Sequence, residues 1–108
     1  MRKNLYDETI SEMNDYLKKP EDVRYVVLNE EYFCNFSDFA LAARQINYDA
    51  GYGWPLITDG CMIVGDGWWL ERHEYDGSEW WEFKTIPHKP DKVMWEAKKI
   101  ISAIYNDF

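Results

Sequence analysis

The chain is expected to fold as an α+β domain: an antiparallel β-meander with helices packed on one face, in the order α-β-α-β-β-β-α. Three observations lead there. Asp-Gly occurs three times, at Asp59-Gly60, Asp66-Gly67 and Asp76-Gly77, and this dipeptide suits tight hairpins because type I′ turns need positive φ. The stretches between those turns are rich in aromatic and β-branched residues, which favour strands. Apolar stripes with a 3.6-residue period stand near both ends and in the middle. Strands joined by short turns pair antiparallel and leave one face for helices.

Each element has its own warrant. From Asn4 to Lys19, Tyr6, Ile10, Met13 and Leu17 form one helical stripe. Early acids and the late Lys18-Lys19 suit the helix dipole, and Pro20 stops the helix. Val23 to Leu28 is apolar on both faces apart from Arg24, which predicts an inner strand, and Asn29-Glu30-Glu31 then turns the chain. A second helix is expected from Ser37 to Asn47, capped by Asn35 or Ser37, with Phe39, Ala42, Ala43 and Ile46 on its apolar side. Tyr48 to Pro55 reads as loop, since Gly51 and Gly53 permit positive φ. The meander strands are then Leu56–Thr58, Cys61–Val64, Trp68–Tyr75 and Trp80–Ile86. Pro87 ends the sheet. Pro90 and Asp91 start a last helix whose stripe is Val93, Ala97, Ile100 and Ile104.

A chain of 108 residues and 13.0 kDa is one domain, residues 1–108, long enough for one real core. No apolar run approaches the ~20 residues of a membrane span, and the N-terminus lacks the apolar core of a signal peptide. The expected compartment is the cytoplasm. Cys34 and Cys61 form no CxxC motif, and His73 and His88 offer no matching spacing, so neither a metal nor another cofactor is expected. A net charge of −8 and a pI near 4.6 argue against direct nucleic-acid binding. They suit a partner with a basic surface, or serve solubility alone.

The segment from Asp59 to Glu82 concentrates the charge. It holds seven acids against one base, Arg72, together with Trp68, Trp69, Trp80 and Trp81. Alternation sorts the hairpin strands into two faces. Trp68, Leu70, Trp81 and Phe83 share the apolar face that should meet the helices, with Arg72 and Glu74 at the same parity. The opposite face carries Trp69, Glu71, His73, Tyr75, Trp80, Glu82 and Lys84. A two-residue loop at Asp76-Gly77 would set Glu71 opposite Glu82, a repulsive pair. A four-residue loop, Asp76 to Glu79, sets Glu71 opposite Lys84 and His73 opposite Glu82, and this is the expected register.

The second face admits three readings. Its aromatics can stabilise the ribbon or lie under a loop such as Tyr48 to Pro55. They can anchor a partner, since Tyr and Trp make strong contacts and surrounding acids select a basic surface. Or Glu71, His73 and Glu82 can meet as an acid–base or metal site. The chain has no GxSxG, HExxH or Gly-rich phosphate loop to support an enzyme, and rings set among acids do not suit single-stranded nucleic acid. The candidate partner-binding residues are Trp69, Glu71, Glu74, Tyr75, Asp76, Glu79, Trp80 and Glu82.

The run GDGWWLERHEYDGSEWWEF, within Leu56 to Pro87, resembles a motif in small proteins encoded by phages and prophages of Gram-positive bacteria. That resemblance implies a non-enzymatic accessory protein, in the cytoplasm of the bacterial host, that binds and inhibits a host protein. Anti-CRISPR proteins that occupy the basic groove of a Cas nuclease are the prominent example. The alternatives are a homodimeric structural or regulatory module pairing through the aromatic face, and a small enzyme centred on His73 and Glu82.

Overall fold

The structure, a computed structural model, describes residues 2–49 and 56–106. It is α+β. A five-stranded antiparallel sheet in the order β3-β2-β5-β6-β7 is built from β2 (Val23–Leu28), β3 (Tyr32–Cys34), β5 (Met62–Gly65), β6 (Trp68–Tyr75) and β7 (Ser78–Thr85). A two-stranded ribbon pairs β1 (Arg2–Asn4) with β4 (Asn47–Asp49). The helices are α1 (Leu5–Asp15), α2 (Phe36–Ala43) and α3 (Ala97–Ile104).

One face of the large sheet buries Val26, Ile63, Trp68, Leu70 and Trp81 against Leu5, Thr9 and Met13 of α1 and Phe36, Phe39, Ala40 and Ala43 of α2. Thr9 settles the contact of α1 with β7. Its hydroxyl donates to the Leu5 carbonyl at 2.7 Å and accepts from the Trp81 indole at 2.9 Å, so two buried polar groups satisfy each other. Tyr16 stacks on Phe83 with centroids 4.0 Å apart. Gly65 lies under the Trp68 ring, where a Cβ would come within 2.0 Å of ring carbon, so only glycine lets the indole lie flat on β5.

Asn4 and Asn35 start α1 and α2, each side chain accepting from the backbone N–H three residues on. α1 ends earlier than its stripe predicts. Lys18 N–H donates to the Met13 carbonyl at 2.9 Å and Leu17 N–H to Asn14 at 3.1 Å, which is a Schellman cap with Leu17 at φ 60°. Leu17 is therefore 88% exposed, not core, and Pro20 opens a 3₁₀ turn (Pro20–Asp22) beyond the helix. In α2 the buried positions are 36, 39, 40 and 43; Ala42 and Ile46 are exposed.

β2 is the inner strand its sequence predicts, between β3 and β5. Three short strands were not expected. β3 returns after a turn in which Asn29 and Glu30 both have positive φ. β1 and β4 pair outside the main sheet, so Tyr48 belongs to a strand and is buried, whereas the rest of the expected Tyr48–Pro55 loop lies outside the described residues apart from Asp49. Only two Asp-Gly turns close hairpins. Asp59-Gly60 is a turn with no strand before it, because the backbone N–H groups of Leu56 and Ile57 are bound by a carboxylate instead of a ladder.

The last helix departs most from expectation. It forms only over Ala97–Ile104, and every residue from 85 to 106 is exposed. Among the described residues, α1 and α2 are the helices that cover the sheet. The radius of gyration is 18.3 Å, against about 13 Å for a compact chain of this length, and the longest extent is 56 Å.

The left-handed Leu17 gives a direct test. A left-handed conformation costs a side-chain-bearing residue about 1–2 kcal/mol, partly offset by the smaller unfolded-state entropy of leucine relative to glycine. Leu17→Gly should therefore raise stability by about 0.5 kcal/mol, read as an increased urea midpoint at unchanged slope.

Candidate functional site

The β6–β7 hairpin carries all eight candidate residues, and it has two unlike faces. Its turn is the two-residue one: Asp76 and Gly77 have φ of 52° and 85°, the signature of a type I′ turn. Glu71 therefore faces Glu82, His73 faces Trp80, Glu74 faces Glu79, and Tyr75 faces Ser78. The expected four-residue register is overturned, and two networks explain why.

On the outer face His73 bridges Glu71 and Glu82. Its Nε2 lies 2.7 Å from Glu71 and its Nδ1 3.2 Å from Glu82, so the ring sits between the two carboxylates. Lys84 adds a 3.2 Å ion pair to Glu82. Each carboxylate also accepts from an indole two residues back on its own strand, Trp69 to Glu71 at 2.7 Å and Trp80 to Glu82 at 3.4 Å. The Trp69 N–H first, and then His73, hold the Glu71 carboxyl below its ordinary range, and Lys84 leads the same effect on Glu82. Trp69, Glu71, His73, Trp80, Glu82 and Lys84 are thus one half-exposed network.

The inner face holds a buried charge cluster that sequence reading did not assemble. Arg72 is inward and almost fully buried. Its Nη2 donates to Glu79 at 2.9 Å and to the Tyr48 hydroxyl at 3.1 Å, and its Nη1 to Glu8 at 3.3 Å. Tyr48 in turn donates to Glu8. The guanidinium also lies 4.8 Å from the Trp81 ring, a cation–π distance. Burial works against the Arg72 charge, but Glu8, Tyr48 and Glu79 more than offset it and raise its pKa, while burial pushes the Tyr48 phenol up to about 12.

Glu79 is the one candidate that the structure removes from the surface. It is 3% exposed, and besides Arg72 it accepts from the backbone N–H groups of Leu56 at 2.6 Å and Ile57 at 3.0 Å. A carboxylate spent on three donors inside the protein is not offered to a partner. In the four-residue register Glu79 would be a loop residue, so the cluster also explains the turn. The signal was present in the alternation: Arg72 and Glu79 are both at inward parity in the observed register, and two opposite charges forced inward must find each other.

The remaining candidates divide by place. Trp69, Glu71, Trp80 and Glu82 sit half-buried in the outer network. Glu74, Tyr75 and Asp76 stand exposed at the hairpin tip, Tyr75 at 77%. Beside the tip is a recess of about 280 Å³, lined by Ile57, Thr58, Asp59, Arg72, His73, Glu74 and Glu79. His73 reaches it, but Glu71 and Glu82 do not line it. Among the described residues no group of three or more His, Cys, Asp or Glu is placed to hold a metal ion. Burial raises the thiol pKa of both cysteines, Cys61 to about 11, which keeps them protonated and poorly nucleophilic. No described helix is long and apolar enough to cross a membrane.

Comparison with protein-family models, curated proteins and solved structures finds no match to this chain.

The two networks predict different behaviour. Removing one partner of a buried ion pair costs about 3–5 kcal/mol, so Arg72→Leu and Glu79→Leu should each lose that much stability. Glu74→Leu at the exposed tip should change it by less than about 0.5 kcal/mol; urea unfolding of the three variants checks the order. For Glu71 the folded pKa is lowered, so its contribution is full above the unfolded value and is lost as pH falls through the folded one. A carbon-13 NMR titration should place the Glu71 carboxyl below 4.5, and Trp69→Phe, which keeps an aromatic ring without the indole N–H, should move it back up.

Proposed function

We propose that the chain is a non-enzymatic binding module that docks a basic protein surface through the acidic tip and outer face of its β6–β7 hairpin. The observation that carries this reading is the tip itself. Glu74, Tyr75 and Asp76 project from a rigid type I′ turn, with Asp59 across the adjoining recess, and none of these four side chains is buried. An exposed tyrosine among uncompensated acids suits an anchor with charge selection around it. A two-residue turn also has few torsions to lose on binding.

The Trp69 and Trp80 indoles behind the tip are held by their carboxylates, so they offer ring faces with their polar edges already satisfied. The partner class this favours is a protein whose groove normally binds nucleic acid, where an acidic protrusion competes with phosphate. Inhibition of a host nuclease in the manner of anti-CRISPR proteins is one form of that activity, and it fits the resemblance of this hairpin to phage-encoded proteins. Glu79 has no part in the contact.

The test is a pull-down from bacterial lysate containing a Cas nuclease–guide complex, at low and high salt. Capture of a basic, nucleic-acid-handling protein that weakens with salt is the expected result, since exposed pairs are screened beyond about 8 Å at physiological ionic strength. Glu74→Lys combined with Asp76→Asn should abolish capture while leaving the melting temperature within about 2 °C. Capture that survives both changes would show that the tip is not the binding site.

A further inference from the structure

We propose that two copies of this chain exchange their C-terminal helices, the apolar stripe of each α3 docking on the open outer face of the other copy's sheet. This goes beyond partner binding at the tip and uses the opposite end of the face.

Among the described residues, two apolar surfaces have no element packed on them. The outer face over β3, β2 and β5 is apolar: Phe33, Val27 and Met62 form one cross-strand row, and Tyr25 and Val64 the next. Phe33 is 77% exposed, and Tyr25 meets it edge-on at 6.4 Å. Among the described residues no helix lies on this face, because α1 and α2 both pack on the other. The second surface is α3. Ala97, Ile100, Ile101 and Ile104 fall on one side of it, and none is buried. An eight-residue helix has too few hydrogen bonds to persist alone in water, so α3 needs a surface to pack on.

Charge says which surface. Residues 86–106 carry four lysines against two acids, a net of +2, whereas residues 1–85 carry eight basic against seventeen acidic residues, a net of −9. The stripe is flanked by Lys98, and the apolar half of the sheet face is bordered by Glu71, Glu82 and Lys84 of the neighbouring strands, which belong to one network. The segment thus complements the body in both polarity and sign.

The occupant is the second copy because the segment is not packed on its own body: all of residues 85–106 are exposed. Reciprocal exchange closes a two-fold dimer. Val93, Trp95 and the three isoleucines of each tail, with the faces they cover, would bury on the order of 2,000 Å², which reaches the size of a stable interface.

Light scattering on the full chain at tens of micromolar tests this. The expected mass is about 26 kDa, twice the 13.0 kDa chain. Ile100→Glu with Ile104→Glu should return it to 13.0 kDa, with the near-ultraviolet signal of the body's tryptophans unchanged. Val27→Glu with Phe33→Glu should do the same from the other side. Mixing the two double variants should regenerate a heterodimer, which retains one intact tail on one intact face. A wild-type mass of 13.0 kDa at every concentration would overturn the proposal in favour of a tail that is free or folds back on its own sheet. So would a dimer that survives both double variants, or a mixture that fails to pair.

Discussion

A single buried guanidinium sets the terms for most of this fold. Taking the Arg72 charge out of water costs several kcal/mol unless it is answered from several sides, and the answers come from three separate elements: Glu8 on α1, Tyr48 on β4 and Glu79 on β7. Each of those side chains is therefore held in place by the same group. The tilt of α1 across the sheet, the attachment of the small ribbon and the pairing of β6 with β7 are coupled through Arg72. Hydrophobic burial is non-directional; it collects Trp68, Leu70 and Trp81 on one side but does not by itself fix which helix turn meets which strand. The charge cluster supplies that direction. Glu79 extends it further by binding Leu56 and Ile57, so the segment entering β5 is tied to the end of the hairpin.

The hairpin register follows from the same logic. Judged pair by pair on the outer face, Glu71 opposite Lys84 looks better than Glu71 opposite Glu82. That comparison omits two things. His73 reaches both carboxylates from the next position along β6, and the two indoles each donate to a carboxylate on their own strand. A like-charge pair with Lys84 and two indole donors on it and an imidazole between its members is no longer repulsive in the sense that a bare pair would be. On the inner face, only the two-residue turn brings Glu79 onto β7 at inward parity, where Arg72 requires it. The outer face tolerates the observed register and the inner face demands it.

How far the sequence could be read depends on the range of the interaction. Local signals were reliable. The α+β class, β2 as an inner strand, the Asn35 cap and the sorting of Trp68, Leu70, Trp81 and Phe83 to the core all came from periodicity or from a side chain acting within three residues. The ends of elements were less so. The stripe through Leu17 continued past the true end of α1, because a Schellman cap can seat a leucine at positive φ and the stripe carries no record of that. β1 and β4 are three residues each and far apart in sequence, so nothing local announces their pairing. The Arg72 cluster joins positions 64 and 40 residues apart. Its one local sign was a charged residue at a core position on each strand of the hairpin. Read as a demand for a partner, and not as an exception to alternation, that sign places Glu79 inward.

This sorting also changes what the acidic hairpin can do. Seven acids between Asp59 and Glu82 suggest a broad negative surface, yet they are not equivalent. Glu79 is neutralised inside the protein, and Glu71 and Glu82 are held by His73, Lys84 and two indoles. Asp66 lies 3.4 Å from Arg24 at the opposite end of β6. Asp59, Glu74 and Asp76 are left, gathered around the recess and the turn, with Tyr75 between the last two. The hairpin's own uncompensated acids are therefore fewer than its composition implies, and they gather at its tip. A partner attracted by those acids would meet them at the tip, roughly 10–23 Å along β6 from the positions where the apolar rows of the outer face reach it. One small sheet can in this way present two surfaces of different character without either interfering with the other, since screening confines the acidic field to within about 8–10 Å of the tip.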